Sequence, residues 1–168
     1  TFKPVQIIFP DSTLVIEEDN TTYSSGFLKN EFIEDDHNLD IAKAKILCSG
    51  GRGLKNAKNF SLLEELAQCL NGCVGGSRVA VEQGWTSFPH QVGLSGKTVS
   101  PEFYIALGIS GAIQHLAGMQ TSRYIIAINR DPEAQIFQLA DLGIVGDVLE
   151  ILPQVIQILK QRKKNETI

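Results

Sequence analysis

The chain has 168 residues, of which 43% are hydrophobic and 20% charged, and its net charge is −4. This length predicts one domain with room for a small appendage, and it allows a core that needs neither disulfides nor metal. The negative net charge argues against a general nucleic-acid or anionic-membrane binder but leaves open a small anionic ligand held locally. Within these residues no signal peptide is visible and no segment is apolar for long enough to insert directly into a membrane.

The first 36 residues differ from the rest of the chain. We interpret residues 1–36 as a remnant of another domain or as an extended arm, and residues 37–168 as the main domain. Residues 5–9 and 13–16 are typical of short strands around a turn at residues 10–12. Loop signals at residues 19–26 and the acidic run at residues 34–36 are typical of a solvated linker.

From residue 40 onward the pattern alternates between strand and helix. Strands are predicted at residues 44–48, 103–109, 123–128 and 143–145. Helices are predicted at residues 60–70, 110–119 and 153–164, the last with Pro153 near its start. Residues 84–97 are predicted to be a loop with a short strand. Such alternation predicts an α/β domain with a doubly wound parallel sheet and a ligand at the carboxyl ends of its strands.

Three cysteines, Cys48, Cys69 and Cys73, lack the spacing of a disulfide framework and predict reduced thiols in a reducing compartment. Cys69 and Cys73 are four residues apart, but no further His or Cys pair completes a zinc set. We therefore expect small buried thiols and no metal.

The segment after the strand at residues 103–109 is the most informative local feature. Its sequence GISG, residues 108–111, ends a buried strand and opens a helix. Glycines let the backbone approach a ligand, Ser110 offers a hydroxyl, and N–H groups at a helix start point outward. His115 lies one turn into the helix and can reach the same ligand. This arrangement predicts a phosphate-bearing cofactor.

Other candidate segments are ambiguous by themselves. Residues 49–54 (SGGRGL) lack the Walker and GxGxxG spacings, so they are either a structural turn or a phosphate-binding loop, which Arg52 favours. Ser77 and Arg78 follow two glycines, and Arg78 is either exposed or held over a ligand. Ser95 has no catalytic partners and no nucleophile elbow around it, which argues against a hydrolase.

Two polar positions near later strand ends also remain open. Asn129 and Asp131 follow a buried strand, where polar residues often face a ligand, although Asp131-Pro132 is also a turn signal. Asp147 either accepts a hydrogen bond from a ribose hydroxyl or caps the next helix.

Taken together, these segments resemble the alpha subunit of the electron transfer flavoproteins. The residues that carry the resemblance are SGGRGL at 49–54, GSRV at 76–79, QVGLSGKTV at 91–99, PEFYIALGISGAIQHLAGM at 101–119 and AINRDPEAQIFQLADLGIVGD at 127–147. The run GISGAIQHLAGM followed by AINRDPEAQIF is highly specific. The resemblance covers about residues 40–160 and implies the C-terminal FAD-binding domain, a six-stranded parallel Rossmann-like sheet.

The resemblance implies an electron carrier rather than an enzyme. In this family FAD takes electrons from dehydrogenases and passes them to an acceptor oxidoreductase, within an obligate heterodimer with a beta subunit. The implied location is the cytoplasm of a bacterium or the mitochondrial matrix of a eukaryote. Alternatives are a part of an electron-bifurcating NADH-oxidising flavoprotein complex, an adenine-nucleotide-binding module without redox function, and a fragment that no longer holds FAD.

The resemblance also assigns site residues by position. Arg52, Ser77, Asn129 and Asp147 would contact the ADP half of FAD, and residues 110–115 would hold the pyrophosphate with their backbone. The full set of implied cofactor contacts is Arg52, Ser77, Arg78, Gln91, Val92, Gly93, Leu94, Ser95, Ser110, Gly111, Ala112, Ile113, Gln114, His115, Asn129, Asp147 and Val148.

At the flavin end, residues 92–95 would run along the isoalloxazine, with the Ser95 hydroxyl reaching N5. Arg78 would lie over the ring, and His115 would lie near its C2 carbonyl oxygen. Many members of the family have Gln at the position of Leu94, whereas some bacterial ones have Leu-Ser, as this chain does. A leucine keeps the backbone contacts but lacks the side-chain amide.

Overall fold

The computed structural model describes the backbone of residues 6–9, 12–14 and 40–166, and the side chains of residues 40–165. Near the N-terminus it contains strands β1 (Gln6–Phe9) and β2 (Ser12–Leu14). The remainder of the two strands and the turn predicted there, the loop signals at 19–26 and the acidic run at 34–36 lie outside the described residues. The domain division at residue 36 stays a prediction.

The main part of the chain contributes five strands to the sheet. They are β3 (Ile46–Gly50), β4 (Cys73–Gly76), β5 (Phe103–Leu107), β6 (Tyr124–Asn129) and β7 (Leu142–Val145). The strand order across the sheet is β2-β1-β7-β6-β5-β3-β4. From β4 to β7 all neighbours are parallel, which confirms the predicted α/β class and Rossmann-like parallel sheet.

The expected count of six parallel strands is wrong for the described residues, because the sixth position holds an antiparallel strand. β1 pairs antiparallel with β7 on one side and with β2 on the other. A parallel neighbour requires a crossover connection that returns the chain to the same end of the sheet. After β7 the chain continues into a long terminal helix, so the strand beside β7 comes from the N-terminal segment.

Four helices cover the sheet in the described part of the chain: α1 (Phe60–Leu70), α2 (Arg78–Glu82), α3 (Ile113–Leu116) and α4 (Val148–Glu166). Helix α1 has the predicted bounds because Phe60, Leu63 and Leu66 recur at helical spacing and are buried. It ends at Asn71, whose φ of 52° lies in the left-handed region that commonly terminates helices.

Two predicted helix bounds are wrong. Helix α3 is shorter than residues 110–119, because Gly111 has a φ of +83° and Ala112 has a non-helical ψ of 144°, so regular helix begins only at Ile113. Helix α4 begins at Val148, so Pro153 lies inside the helix rather than near its start. Asp147 causes the earlier start, since its carboxylate accepts a hydrogen bond from the Leu149 amide.

Strand β4 was not predicted, and the loop at residues 84–97 is less regular than expected. β4 has the sequence CVGG and pairs along its whole length with β3. Its two glycines have low strand propensity, so the pairing with β3, rather than the local sequence, makes this segment a strand. The loop contains the 3-10 helix Phe88–His90 and two isolated bridges, which join Gly76 to Gln91 and Val92 to Lys97. Further 3-10 helices span Ile41–Lys43, Arg52–Leu54, Ala57–Asn59 and Gln135–Gln138.

The core has two layers, one on each face of the sheet. On one face the strand side chains Leu47, Tyr104 and Ala106 pack with the loop residue Val92 and with Ile136 of a 3-10 helix. On the other face the alternate positions, including Cys48, Leu107 and Ile128, pack against buried side chains of α1 and α4. This alternation is that of a sheet buried on both faces, as expected for a doubly wound fold.

The chain order reverses between β3 and β5. From β3 the chain passes to β4 on one side, and from β4 it crosses over to β5 on the other. In such sheets the crossover connections leave a crevice at the carboxyl ends of the two central strands. The loops that follow β3 and β5 touch there, with the Gly53 amide donating to the Gly108 carbonyl at 2.9 Å.

Gly108 is predicted to be the glycine most sensitive to alanine in this crevice. Its φ is +65°, and an added Cβ would lie 2.7 Å from the Gly53 Cα. Gly84 provides a matched control, because its φ is +69° but an added Cβ meets nothing within 4 Å. The backbone cost alone is about 1–2 kcal/mol, and a steric clash adds roughly 1–3 kcal/mol.

We therefore expect Gly108→Ala to lower the free energy of unfolding by roughly 2–5 kcal/mol and Gly84→Ala by about 1–2 kcal/mol. Urea unfolding of both variants measures the difference. Equal losses in the two variants would contradict the close contact between the loops.

Candidate functional site

A cleft of about 590 Å³ opens at the carboxyl ends of the parallel strands. Its volume lies within the ~300–1,000 Å³ usual for small-molecule and cofactor sites. It lies at the crevice between β3 and β5, where a ligand is expected in this class of sheet. The lining residues are 51–53, 55, 77–79, 92–95, 108–110, 112, 114, 115, 129–131, 147 and 148.

Most of the predicted site residues line this cleft. Those brought together are Arg52, Ser77, Arg78, Val92, Gly93, Leu94, Ser95, Ser110, Ala112, Gln114, His115, Asn129, Asp147 and Val148. The other three lie beside it. Gln91 is buried behind the lining, Gly111 packs against the backbone of Ile136, and the Ile113 side chain is exposed. The roles of all these residues as cofactor contacts stay predictions.

Sequence reasoning missed several lining residues, of which Lys55 and Arg130 carry charge. The sequence position of each residue could have identified it as a candidate. Arg130 lies between the two polar residues noted at the end of β6, and Lys55 directly follows the glycine-rich turn after β3. Gly51, Gly53 and Gly108 were considered as parts of two possible ligand-binding turns, but their contact with one another, which forms the floor between the two loops, was not predicted.

The cleft is locally positive in a chain whose net charge is −4. Four cationic side chains line it: Arg52, Lys55, Arg78 and Arg130. Two carboxylates, Asp131 and Asp147, face the same space. An excess of cations at a concave site attracts anionic ligands even when the whole chain is acidic.

Asp147 caps helix α4, which was one of its two open roles. Its Oδ1 accepts a hydrogen bond from the Leu149 amide at 2.9 Å, and its Oδ2 accepts one from Lys55 Nζ at 2.8 Å. The hydrogen bond from Lys55 is the main cause that lowers the pKa of this carboxyl, and the Leu149 amide adds to it. Asp147 therefore stays charged at neutral pH, and Lys55 holds it in one orientation.

Ser77 and Asn129 also order the loops that carry them. The Ser77 hydroxyl accepts a hydrogen bond from the Ala80 amide at 3.4 Å and caps helix α2. Asn129 Nδ2 donates to the Ile109 carbonyl at 2.8 Å, and its Oδ1 accepts from the Asp131 amide at 3.0 Å. Asn129 thus joins the ends of β5 and β6 at the wall of the cleft.

Residues 91–97 form a tight loop that is hydrogen-bonded to helix α3. Gln91 Nε2 donates to Ser95 Oγ at 3.0 Å, and the Leu94 amide donates to the Gln114 carbonyl at 2.8 Å. Gly93 has a φ of +136°, where a Cβ would lie 2.9 Å from the Gln114 carbonyl oxygen. Glycine at this position therefore allows the loop to lie directly against α3.

Arg78 projects from the first turn of α2. Its Nε donates to Glu82 Oε1 at 2.7 Å, and both side chains are more than half exposed, so this pair contributes little stability. The remaining N–H groups of a guanidinium stay available, since it carries five donors and this pair uses one.

His115 is the buried ionisable group of the cleft. It is 7% exposed, and its Nε2 lies 2.8 Å from the Tyr104 hydroxyl. Its Nδ1 is buried without a hydrogen-bond partner among the described residues. Burial lowers the pKa of His115 to about 4, against a smaller opposing effect of the Val92 backbone. The imidazole is therefore neutral at pH 7.

The cysteines take no part in the cleft. Cys48 is buried in the core, where burial raises the pKa of its thiol to about 12 and makes it unreactive. Across the described residues, no group of three or more His, Cys, Asp or Glu side chains is arranged to hold a metal ion. None of the described helices combines the length and apolar character needed to cross a membrane.

Comparison with known proteins points to one family. Residues 40–120 match the family described as the electron transfer flavoprotein FAD-binding domain. The chain is 50% identical over 148 residues to "Electron transfer flavoprotein subunit alpha, mitochondrial" of Dictyostelium discoideum, an alignment that covers 88% of this chain and 40% of that protein. It is 58% identical over 123 residues to "Protein FixB" of Clostridium saccharobutylicum, covering 73% of this chain and 37% of the relative.

A similar match joins the chain to "Electron transfer flavoprotein subunit alpha" of Mycobacterium leprae (strain TN). The identity is 53% over 128 residues, which covers 76% of this chain and 40% of the relative. The chain therefore spans about two fifths of the length of these curated relatives.

The buried neutral imidazole predicts a pH dependence of stability. The unfolded chain binds a proton at His115 below about pH 6.5, whereas the folded chain binds it only near pH 4. The stability due to neutral His115 is therefore complete above pH 6.5 and is lost as the pH falls toward 4. Each pKa unit corresponds to about 1.4 kcal/mol, so the total loss is about 3 kcal/mol.

We expect His115→Gln to remove this part of the pH dependence when urea unfolding is measured between pH 7.5 and pH 4. His90→Gln is the matched control, since it removes a histidine but leaves His115 in place, and it should keep the wild-type slope. A wild-type slope in His115→Gln would show that His115 is not buried in its neutral form.

Proposed function

Because the chain belongs to the family of electron transfer flavoprotein FAD-binding domains, we propose that its cleft holds FAD and that the domain serves as an electron carrier. FAD, the expected cofactor, is the one for which this family is described. The observation that carries the proposal is the cleft itself, which combines glycine loops, an excess of cations and a buried imidazole at the crevice between β3 and β5.

The described residues fit a dinucleotide. The pyrophosphate would lie on the loop from Ser110 to Ala112, next to the first turn of α3, where backbone N–H groups have no helical acceptor. Arg52, Lys55 and Arg130 supply positive charge around this position. The adenosine half would lie toward Ser77, Asn129 and Asp147, whose side chains are already held in place by local hydrogen bonds.

The other end of the cleft suits the isoalloxazine. The rigid loop 92–95 offers backbone groups and a hydroxyl, and Arg78 extends from α2 above the same space. The unpartnered Nδ1 of His115 is a polar atom that a ligand carbonyl would satisfy. FAD supplies the redox chemistry when bound, while the protein supplies binding, orientation and electrostatics.

These residues would tune the cofactor by charge. Arg78 brings a permanent positive charge, and His115 brings a neutral polar group in a buried position where electrostatic effects are strong. Both favour extra negative charge on a ligand that lies between them. No pair of side chains acting as general acid and base is needed for this role, since the domain transforms no substrate.

A partner would complete the site. The side chains of Leu94 and Ile113 are each 74% exposed. The Leu94 amide donates to the carbonyl of Gln114, the residue after Ile113, so the two exposed side chains lie on neighbouring segments at the rim of the cleft. Exposed large apolar side chains beside a cofactor site support contact with another protein. We infer that this partner is a beta subunit, and that dehydrogenases and an acceptor oxidoreductase are the redox partners of the heterodimer. Its compartment would be reducing, as in the cytoplasm or the mitochondrial matrix.

The binding preference for FAD over its two halves tests the proposal. Calorimetry with FAD, ADP and FMN should give the tightest binding for FAD, because only FAD fills both ends of the cleft. Arg52→Ala should weaken FAD and ADP binding by roughly 10- to 150-fold, since a charge-assisted hydrogen bond contributes ~1.5–3 kcal/mol, and FMN binding should change less. Arg123→Ala is the control, because Arg123 pairs with Glu102 away from the cleft.

Equal affinities for ADP and FAD would favour an adenine-nucleotide-binding module without redox function. Absence of binding for all three compounds would contradict the proposed cofactor site in this chain.

The flavin potential tests the role of Arg78. If its charge favours the reduced cofactor by ~1–2 kcal/mol, Arg78→Ala should lower the one-electron potential by roughly 40–90 mV. Spectroelectrochemistry of the FAD-loaded protein measures this shift, with Arg123→Ala again as the matched loss of one positive charge. An unchanged potential in Arg78→Ala would remove Arg78 from the tuning role.

A further inference from the structure

Two buried polar side-chain atoms of the described residues have no hydrogen-bond partner, and both belong to neighbours of one tyrosine. The atoms are Ser49 Oγ and His115 Nδ1. Tyr104 is fully buried, and its hydroxyl lies 2.8 Å from His115 Nε2. Burial raises the pKa of the phenol, and the neighbouring Ser49 hydroxyl opposes this in part. The three side chains therefore form one buried polar cluster.

Only one of the three side chains in this cluster lines the cleft. His115 lines the cleft, whereas Tyr104 and Ser49 lie behind it in the core. An unpaired buried polar atom costs about 1–3 kcal/mol, so an unpaired Nδ1 at a cleft wall marks a position for a ligand atom. Nδ1 donates a hydrogen bond to that ligand atom if Nδ1 carries the ring proton, and it accepts one if Nε2 carries the proton.

The surrounding groups favour a proton on Nδ1. Burial raises the pKa of Tyr104, so its phenol stays protonated and its O–H can donate to Nε2. The Ser49 hydroxyl can then donate to the phenol oxygen, which gives each group of the cluster a role.

The opposite tautomer would be unfavourable for the same reason. With the proton on Nε2, the phenol would accept from His115 and donate to Ser49, so the Ser49 O–H and the Nδ1 lone pair would both lack a partner among the described residues. A buried acceptor without a donor carries its full desolvation cost. The arrangement therefore favours the Nδ1–H form of the neutral imidazole over the Nε2–H form.

We propose that Tyr104 is a positioning residue that fixes His115 in the Nδ1–H tautomer, so that the cleft presents a neutral N–H donor at this point. The ligand chemistry that fits is an oxygen that gains negative charge, such as a conjugated carbonyl. The identity of that oxygen as part of FAD rests on the proposed function, whereas the tautomer does not.

Nitrogen NMR tests the tautomer directly. Long-range ¹H–¹⁵N spectra of the histidine-labelled chain distinguish protonated from unprotonated ring nitrogens, and the signals lost in His115→Gln identify His115. We expect Nδ1–H in the wild type and a shift toward Nε2–H in Tyr104→Phe. Tyr124→Phe is the matched control, because Tyr124 is 40% exposed on the neighbouring strand, and it should keep the wild-type pattern.

Either of two results would overturn the inference. A wild-type spectrum with Nε2–H would do so without any variant, even if Tyr104→Phe failed to fold. A folded Tyr104→Phe that keeps Nδ1–H would show that Tyr104 does not set the tautomer.

The FAD-loaded protein gives a second readout. Loss of the donor in Tyr104→Phe should reduce the preference for reduced over oxidised FAD by threefold to tenfold, which lowers a one-electron potential by roughly 30–60 mV. An unchanged potential would contradict the link between the donor and the ligand. Failure of the wild type to bind FAD would contradict the proposed function, and the NMR pattern would still decide the tautomer.

Discussion

The contact between the loops that follow β3 and β5 is the constraint on which the site depends. The Gly53 amide donates to the Gly108 carbonyl, and the Gly51 amide donates to the Leu107 carbonyl, both at 2.9 Å. Side chains at Gly51, Gly53 or Gly108 would push the loops apart, because the nearest backbone atoms leave no room for a Cβ. The floor of the cleft is therefore backbone, which lets a ligand approach peptide groups directly.

From this floor the rest of the site follows by topology. The chain passes from β3 to β4 on one side and then crosses over to β5 on the other. The loops after β4, β6 and β7 therefore surround the same crevice and bring Arg78, Arg130 and Asp147 to its walls. Local hydrogen bonds then fix several of these side chains. Asp147 caps α4 and pairs with Lys55, so one carboxylate both starts a helix and orients a cation at the cleft.

The cleft combines two electrostatic environments. At its open surface, Arg52, Lys55, Arg78 and Arg130 are solvated cations, whose effect on an anion is screened by water and salt. At its inner wall, His115 is neutral because burial disfavours its charged form. A dinucleotide matches this division, since its charged phosphates suit the solvated cations and its uncharged ring system suits the buried wall.

The sequence predicted elements best where local pattern alone decides them. Helix α1 was predicted with its bounds because its apolar residues recur at helical spacing, but β4 was missed because CVGG becomes a strand only by pairing with β3. The loop at Ser110 was visible in the residues as a candidate phosphate site, whereas loop 92–95 became a candidate only through the family resemblance. Lys55 and Arg130 are 75 positions apart in the chain, and only the fold shows that both line one cleft.

The most direct test of the account is the visible spectrum of the purified chain after FAD is added and the excess is removed by gel filtration. The account predicts a yellow protein whose bound cofactor, once released, is FAD, and whose spectrum is bleached by dithionite and restored by reoxidation. A colourless protein that stays folded would contradict the central claim that this cleft holds FAD.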